Sequence, residues 1–256
     1  MIPITQEMLR EIVPDFARAI RDKKTTTAKP AFAVINFRDE KSKSHERRIE
    51  SVPIGLLRYR KDNGRIASDV MNYERLNGPL DERDDGAQKL LRNFLEKKHP
   101  EMTEILIKSI EHTGQNEPAI ITCDGFLING NRRKMALESL LERHRGDDKY
   151  KYMKVVILPG PGDEGGPPTL LEIERLENRY QLQSEGKSEY YGFDRALSIK
   201  RKMNLGFSLE EQLKDDPRYV RATEQELKKA VKEYEREYIG PLDCVDRYLQ
   251  HFERDG

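Results

Sequence analysis

The chain is 256 residues long, enough for one sizeable domain or a core with an appendage. Hydrophobic and charged residues each make up 36%, which predicts a modest core with long, charge-studded helices and excludes wholesale disorder. Lys plus Arg and Asp plus Glu both number 46, so global charge gives no argument for nucleic acid, and no apolar run approaches the roughly 20 residues of a membrane span.

Met8, Ile12, Val13, Phe16 and Ile20 fall near helical spacing and predict a helix over residues 1–20. Residues 21–60 hold eleven Lys/Arg against five Asp/Glu, interrupted by the strand-like AFAVINF. A strand is expected from Ile49 to Leu57, then a turn at Asp62-Asn63-Gly64, and the Asn-, Asp-, Gly- and Pro-rich residues 70–86 read as a surface insertion. Helices follow over Ala87–Lys98 and Met102–Glu111. Asp124-Gly125 between Ala119–Thr122 and Phe126–Ile128 is a hairpin signal, and a helix is expected from Asn131 to Arg145. Tyr152–Leu158 is a further strand, and Pro159–Pro168 (PGPGDEGGPP) is a loop. From Thr169 the pattern is helical throughout, with Ser208 and Glu211 in capping-box spacing.

Mixed strands and helices followed by helices alone predict an α+β fold: a small mixed sheet with flanking helices, then an all-helical segment. The expected divisions are a helix and basic stretch over 1–48, a core over 49–168, and helices over 169–256. Cys123 and Cys244 have no CxxC partner and the five histidines show no ligand spacing, so neither a disulfide framework nor a zinc site is expected. The N-terminus has no signal-peptide pattern, and the chain reads as cytoplasmic.

The most chemically pointed segment is Gly130-Asn131-Arg132-Arg133, where a strand turns into a helix. A helix N-terminus exposes unpaired N–H groups and partial positive charge, and arginine forks suit phosphate oxygens. Two arginines there oppose the helix dipole, a placement better explained by a bound anion than by stability. The alternative is a helix start whose arginines pair with neighbouring carboxylates.

GQNEPAII…DGFLINGNRRKMALESL resembles the heart of the ParB/sulfiredoxin-like superfamily, with its GxxxP segment, hairpin and GxRRxxA turn. LENRYQ resembles that family's ENxQR motif, and VPIGLLRYRKDNGRI its opening strand and N-x-R box. The resemblance implies a ParB N-terminal-like fold that binds CTP, or another nucleoside triphosphate, with Mg²⁺. It places Gly130, Asn131, Arg132 and Arg133 on the phosphates with Asn178 and Arg179, and Glu177 and Asn178 at the metal, with Glu177 in any catalytic role. Gln115, Pro118, Asn63 and Arg65 would line the nucleotide wall. The implied function is a nucleotide switch or slow NTPase that acts with DNA, with a homodimer as a further expectation. The alternatives are a metal-dependent nuclease or phosphotransferase, and a non-catalytic interaction module with a vestigial site. Gln181 replaces the family's last arginine in ENxQR, which favours the last of these, and no cysteine in the turn supports sulfiredoxin chemistry. For DNA contact, GFSLEEQ and the helix that follows form a degenerate helix-turn-helix pattern, although Leu227, Ala230, Val231, Tyr234 and Tyr238 suit bundle packing better.

Overall fold

The computed structural model describes residues 8–26, 30–38, 46–98, 100–145, 147–182, 192–219 and 221–254. The architecture is α+β: a five-stranded mixed sheet flanked by helices, followed by a helical C-terminal part. The strands are β1 (Ala31–Val34), β2 (Glu46–Pro53), β3 (Ala119–Ile121), β4 (Leu127–Asn129) and β5 (Tyr152–Ile157), in the spatial order β1-β2-β5-β3-β4. Only β3 and β5 pair in parallel; the other neighbours are antiparallel. β5 therefore sits at the centre, bonded to β2 on one side and β3 on the other.

Successive strand residues point to opposite faces, and the burial follows that period. Ala119, Ile121, Leu127, Met153 and Val155 face one layer, which is closed by α3 (Asp85–Lys97), α4 (Pro100–Thr113) and α5 (Asn131–Arg143). Ile120, Ile128 and Val156 face the other, where Ile173 and Leu176 of α6 (Leu170–Leu182) cover them. A third cluster joins Ile199 of α7 (Phe193–Asn204), Leu209 and Leu213 of α8 (Leu209–Lys214), and Leu227 and Ala230 of α9 (Glu224–Tyr234). A π-helical turn leads from α9 into α10 (Gly240–Arg254). Among the described residues no helix is long and apolar enough to cross a membrane.

Several expected elements shift. The first helix, α1, runs Pro14–Lys23: residues 8–13 are not helical, and residues 1–7 lie outside the described set. Pro14 favours a start there because its ring presets φ and it has no N–H to satisfy. The strand expected to reach Leu57 stops at Pro53, since Pro has no donor for the ladder, and a 3₁₀ turn takes Ile54–Leu56. Residues 70–86 are not a loop insertion: α2 spans Ala67–Asn77, Val70 is buried in the main core, and Gly78 ends the helix at φ 86°. Leu80, just beyond, is buried as well. Boundaries at 48 and 168 fall inside continuous packing, because Ile20 joins the core under the sheet and Ile173 covers its other face. The Pro159–Pro168 segment is irregular, as its composition requires, and Arg38 holds its end through the carbonyls of Gly165, Gly166 and Pro167.

α8 and α9 are separated by nine residues containing a 3₁₀ turn at Pro217–Tyr219. The apolar face of α9 is spent on α7 and α8, which is bundle packing.

Candidate functional site

β4 ends at Asn129, and α5 begins two residues later with Gly130 as its N-cap in the left-handed region, φ 96°. A Cβ at Gly130 would lie 2.6 Å from the Cβ of Ala119 and 3.2 Å from Cε of Met153. The glycine is thus required first by the close approach of the turn to β3 and β5, independent of any ligand. The helix start has no side-chain cap and no acidic residue in its first turn. The N–H groups of Asn131, Arg132 and Arg133 therefore have no intrahelical acceptor.

This end of α5 opens on a cavity of about 410 Å³. It gathers Asn63, Arg65, Gln115, Gly130, Asn131, Arg132, Arg133 and Glu177, residues that span more than a hundred positions of sequence. Pro118, Asn178 and Arg179 do not line it. The opposite wall is one face of α4, with Met102, Ile105, Leu106 and Ile110, and Ile128 and Tyr180 add further apolar surface. Ile105 is 61% exposed, unusual for a large apolar side chain on an otherwise packed helix.

The electrostatics are one-sided. Arg132 has no ion-pair or hydrogen-bond partner among the described residues; burial, Arg65 and Arg133 push its guanidinium down to about 10. Burial also lowers Arg133, although Glu117 pairs with it and the Pro118 carbonyl accepts from its Nη1 at 3.1 Å. Asn131 is 9% exposed, and its Oδ1 is buried with no partner. A cavity lined by an uncompensated arginine and by helix N–H groups without an intrahelical acceptor is suited to an anion, whereas the Asn131 Oδ1 calls for a donor.

Other expected site residues have structural duties. Asn63 caps the 3₁₀ turn Gly64–Ile66 by accepting from the Arg65 N–H at 2.9 Å. Gln115 is tied to β5, donating to the Lys154 carbonyl at 2.8 Å and accepting from the Lys154 N–H at 2.8 Å. Arg179 reaches the other way, to Asp215 and the Asn36 carbonyl, both at 3.1 Å. Pro118 contributes its carbonyl rather than a ring wall. Gln181's side chain lies outside the described set.

Glu177 and Asn178 do not fit as a magnesium site. Glu177 is 3% exposed and accepts from Arg60 and the Gly64 N–H, both at 3.3 Å. Burial, then the neighbouring Glu174, raises its pKa. The Asn178 amide is consumed by Lys202 at 3.0 Å and the Gln212 carbonyl at 3.1 Å. Magnesium wants several converging hard oxygens, and among the described residues no three His, Cys, Asp or Glu groups gather to hold a metal. The pair belongs instead to a buried ionic layer beneath the cavity. There Arg60 bonds Glu174 at 2.9 Å, Arg201 pairs with Glu174 and Asp62, and Lys202 holds Asn178.

Sequence reasoning missed α4's wall, Glu117 and Tyr180. Tyr180 was visible as the third member of the Ile173-Leu176-Tyr180 stripe on α6, which faces the sheet. Glu117 was visible as an acidic residue just ahead of β3, but its pairing with Arg133 needed the hairpin's geometry.

Compared with known protein families, curated proteins and solved structures, the chain matches none.

Proposed function

We propose that the cavity at the start of α5 binds a phosphorylated small molecule, with a nucleoside triphosphate as the ligand class and CTP as the first choice. The observation that carries this reading is Arg132: a partly buried guanidinium without a counter-charge, at an uncapped helix N-terminus, beside a second and a third arginine. Such an arrangement costs the apo protein free energy, and an anion removes that cost. The apolar wall from Met102, Leu106, Ile110 and Tyr180 supplies a surface for a base and ribose. The motif resemblance chooses CTP and a switch acting with DNA; α9's outward face mixes Lys228, Lys229 and Lys232 with Glu224 and Glu233, so local charge adds little to the DNA part.

Phosphotransfer or nuclease chemistry is the second reading, and Glu177 is what favours it: a carboxyl with raised pKa that lines the cavity. No step of either reading runs through a metal held by the chain's own carboxylates.

Thermal denaturation with CTP, ATP, GTP or UTP, each with and without magnesium chloride, tests the proposal. A saturating ligand at about a hundred times its Kd stabilises by about 2.7 kcal/mol, a shift of several degrees. Arg132→Ala is expected to remove the shift. If no nucleotide raises the midpoint and Arg132→Ala changes nothing, both readings fail. DNA cleavage that disappears in Glu177→Gln moves the assignment to the second.

A further inference from the structure

Two neighbours at the start of α5 lack partners of opposite kinds. The Arg132 guanidinium lacks an anion, and the Oδ1 of Asn131 lacks a donor, although Asn131 is 9% exposed and lines the same cavity. The two do not satisfy each other, since Oδ1 has no hydrogen-bond partner among the described residues. Three donors around the turn and the cavity are committed elsewhere. Arg133 bonds Glu117 and the Pro118 carbonyl, and Lys134, one turn along α5, holds Glu138. The Gln115 amide donates to the Glu117 and Lys154 carbonyls at 2.9 and 2.8 Å. The facing wall offers Met102, Leu106 and Ile110, whose side chains have no donor.

We infer that the cavity selects phosphorylated ligands that carry a hydroxyl close to the phosphoryl group, as a sugar or polyol phosphate does, and that Asn131 is the residue that reads the hydroxyl. The inference rests on the reading of the cavity as an anion site and adds a second demand to it. A phosphoryl group meets Arg132 and the first-turn N–H groups. Its oxygens only accept when it is fully ionised, so it leaves Oδ1 without a donor. A hydroxyl can donate to Oδ1, and a buried acceptor left unmade is costly enough to favour the ligand that supplies the bond. Asn131 and Arg132 are consecutive, the first two residues of α5, which puts the hydroxyl near the phosphorus rather than at the far end of the ligand. The first helical residue tests for the donor and the second for the charge, so a bare phosphate satisfies only half of the site.

Isothermal titration of the whole chain with sn-glycerol 3-phosphate and n-propyl phosphate tests this. The two esters share the phosphoryl group and the carbon count and differ in their hydroxyls; at about pH 8 both are fully ionised. Wild type is expected to bind the glycerol ester about tenfold more tightly, the scale of one hydrogen bond to an otherwise unmade acceptor. Asn131→Leu keeps the bulk and removes the acceptor, and should bring the two affinities within about twofold of each other. Asn131→Asp still accepts from a hydroxyl but repels a phosphoryl group, so both affinities should fall while the preference stays. Equal affinities in the wild type, or a preference that survives in Asn131→Leu, overturn the inference. Loss of the preference in Asn131→Asp means that the amide acts through its N–H groups, and overturns it too. Arg132→Ala is expected to abolish binding of both esters. If it does so and the wild type shows no preference, the anion site stands and the hydroxyl reading is refuted. If Arg132→Ala leaves both affinities intact, the anion-site reading falls and the inference with it. Failure of both esters to bind the wild type overturns the inference, and inorganic triphosphate, titrated alongside, then shows whether the anion site remains.

Discussion

Gly130 and Arg132, two positions apart, are expected to respond to alanine in opposite ways. Gly130→Ala adds a methyl group 2.6 Å from Ala119 on a backbone with φ 96°, so overpacking and strain combine to cost about 2 kcal/mol or more. Arg132→Ala removes a guanidinium that Arg65 and Arg133 repel, and stability should stay within about 0.5 kcal/mol of wild type or rise. Urea unfolding of the two variants checks this; a large loss in Arg132→Ala means the arginine has a structural partner. Glu177 gives a pH signature. Its folded-state pKa lies above the ordinary 4.5, so its stabilising contribution is complete below that value and is lost as pH rises through the raised one. Glu177→Gln cannot ionise and should lack that decline, measured by urea midpoints from about pH 4 to about pH 8. Parallel pH profiles for wild type and variant count against a raised Glu177.

At the scale of elements, the hairpin signal Asp124-Gly125 carries more than a turn. Asp124 is fully buried, accepts two bonds from Arg10 at 2.9 and 2.8 Å and one from the Thr122 hydroxyl at 2.6 Å, and accepts the Val13 N–H at 3.0 Å just ahead of α1. Asp124→Ala leaves Arg10 beside an empty partner position and should cost about 3 kcal/mol. Amide exchange should rise first in α1; unchanged protection there counts against the tether. What was legible at this scale follows from local chemistry. The α5 helix, the β3–β4 hairpin and the Ser208–Glu211 capping box were all readable, because the residues that specify each are neighbours in sequence. The α2 helix was not. Its Asn and Asp content reads as loop, and what holds it is Val70 against a distant core, a tertiary override of weak local preference.

For the whole molecule, the third apolar cluster is separate from the two that sandwich the sheet. Leu213→Ala should therefore loosen α8 and α9 while β3 and β5 keep their amide protection. Equal loss of protection throughout marks one cooperative unit instead. This partition also explains why the candidate site was only half legible. The turn Gly130–Arg133 announces itself through adverse local charge, whereas Glu177 and Asn178 look like ligands until Arg60, Arg201 and Lys202 arrive from remote segments to occupy them. Buried ion pairs are specified by three-dimensional proximity, which no local spacing encodes.

The strand order has a consequence for the chain as it is made. β2 ends at Pro53, and its central partner β5 does not begin until Tyr152. At about 5–20 residues per second, the nascent chain spends roughly 5–20 seconds with that edge of β2 unpaired. An unsatisfied strand edge is a template for pairing with other chains. Messages translated slowly between these two strands should therefore yield more aggregate, whereas a pause after β5 has emerged should be harmless.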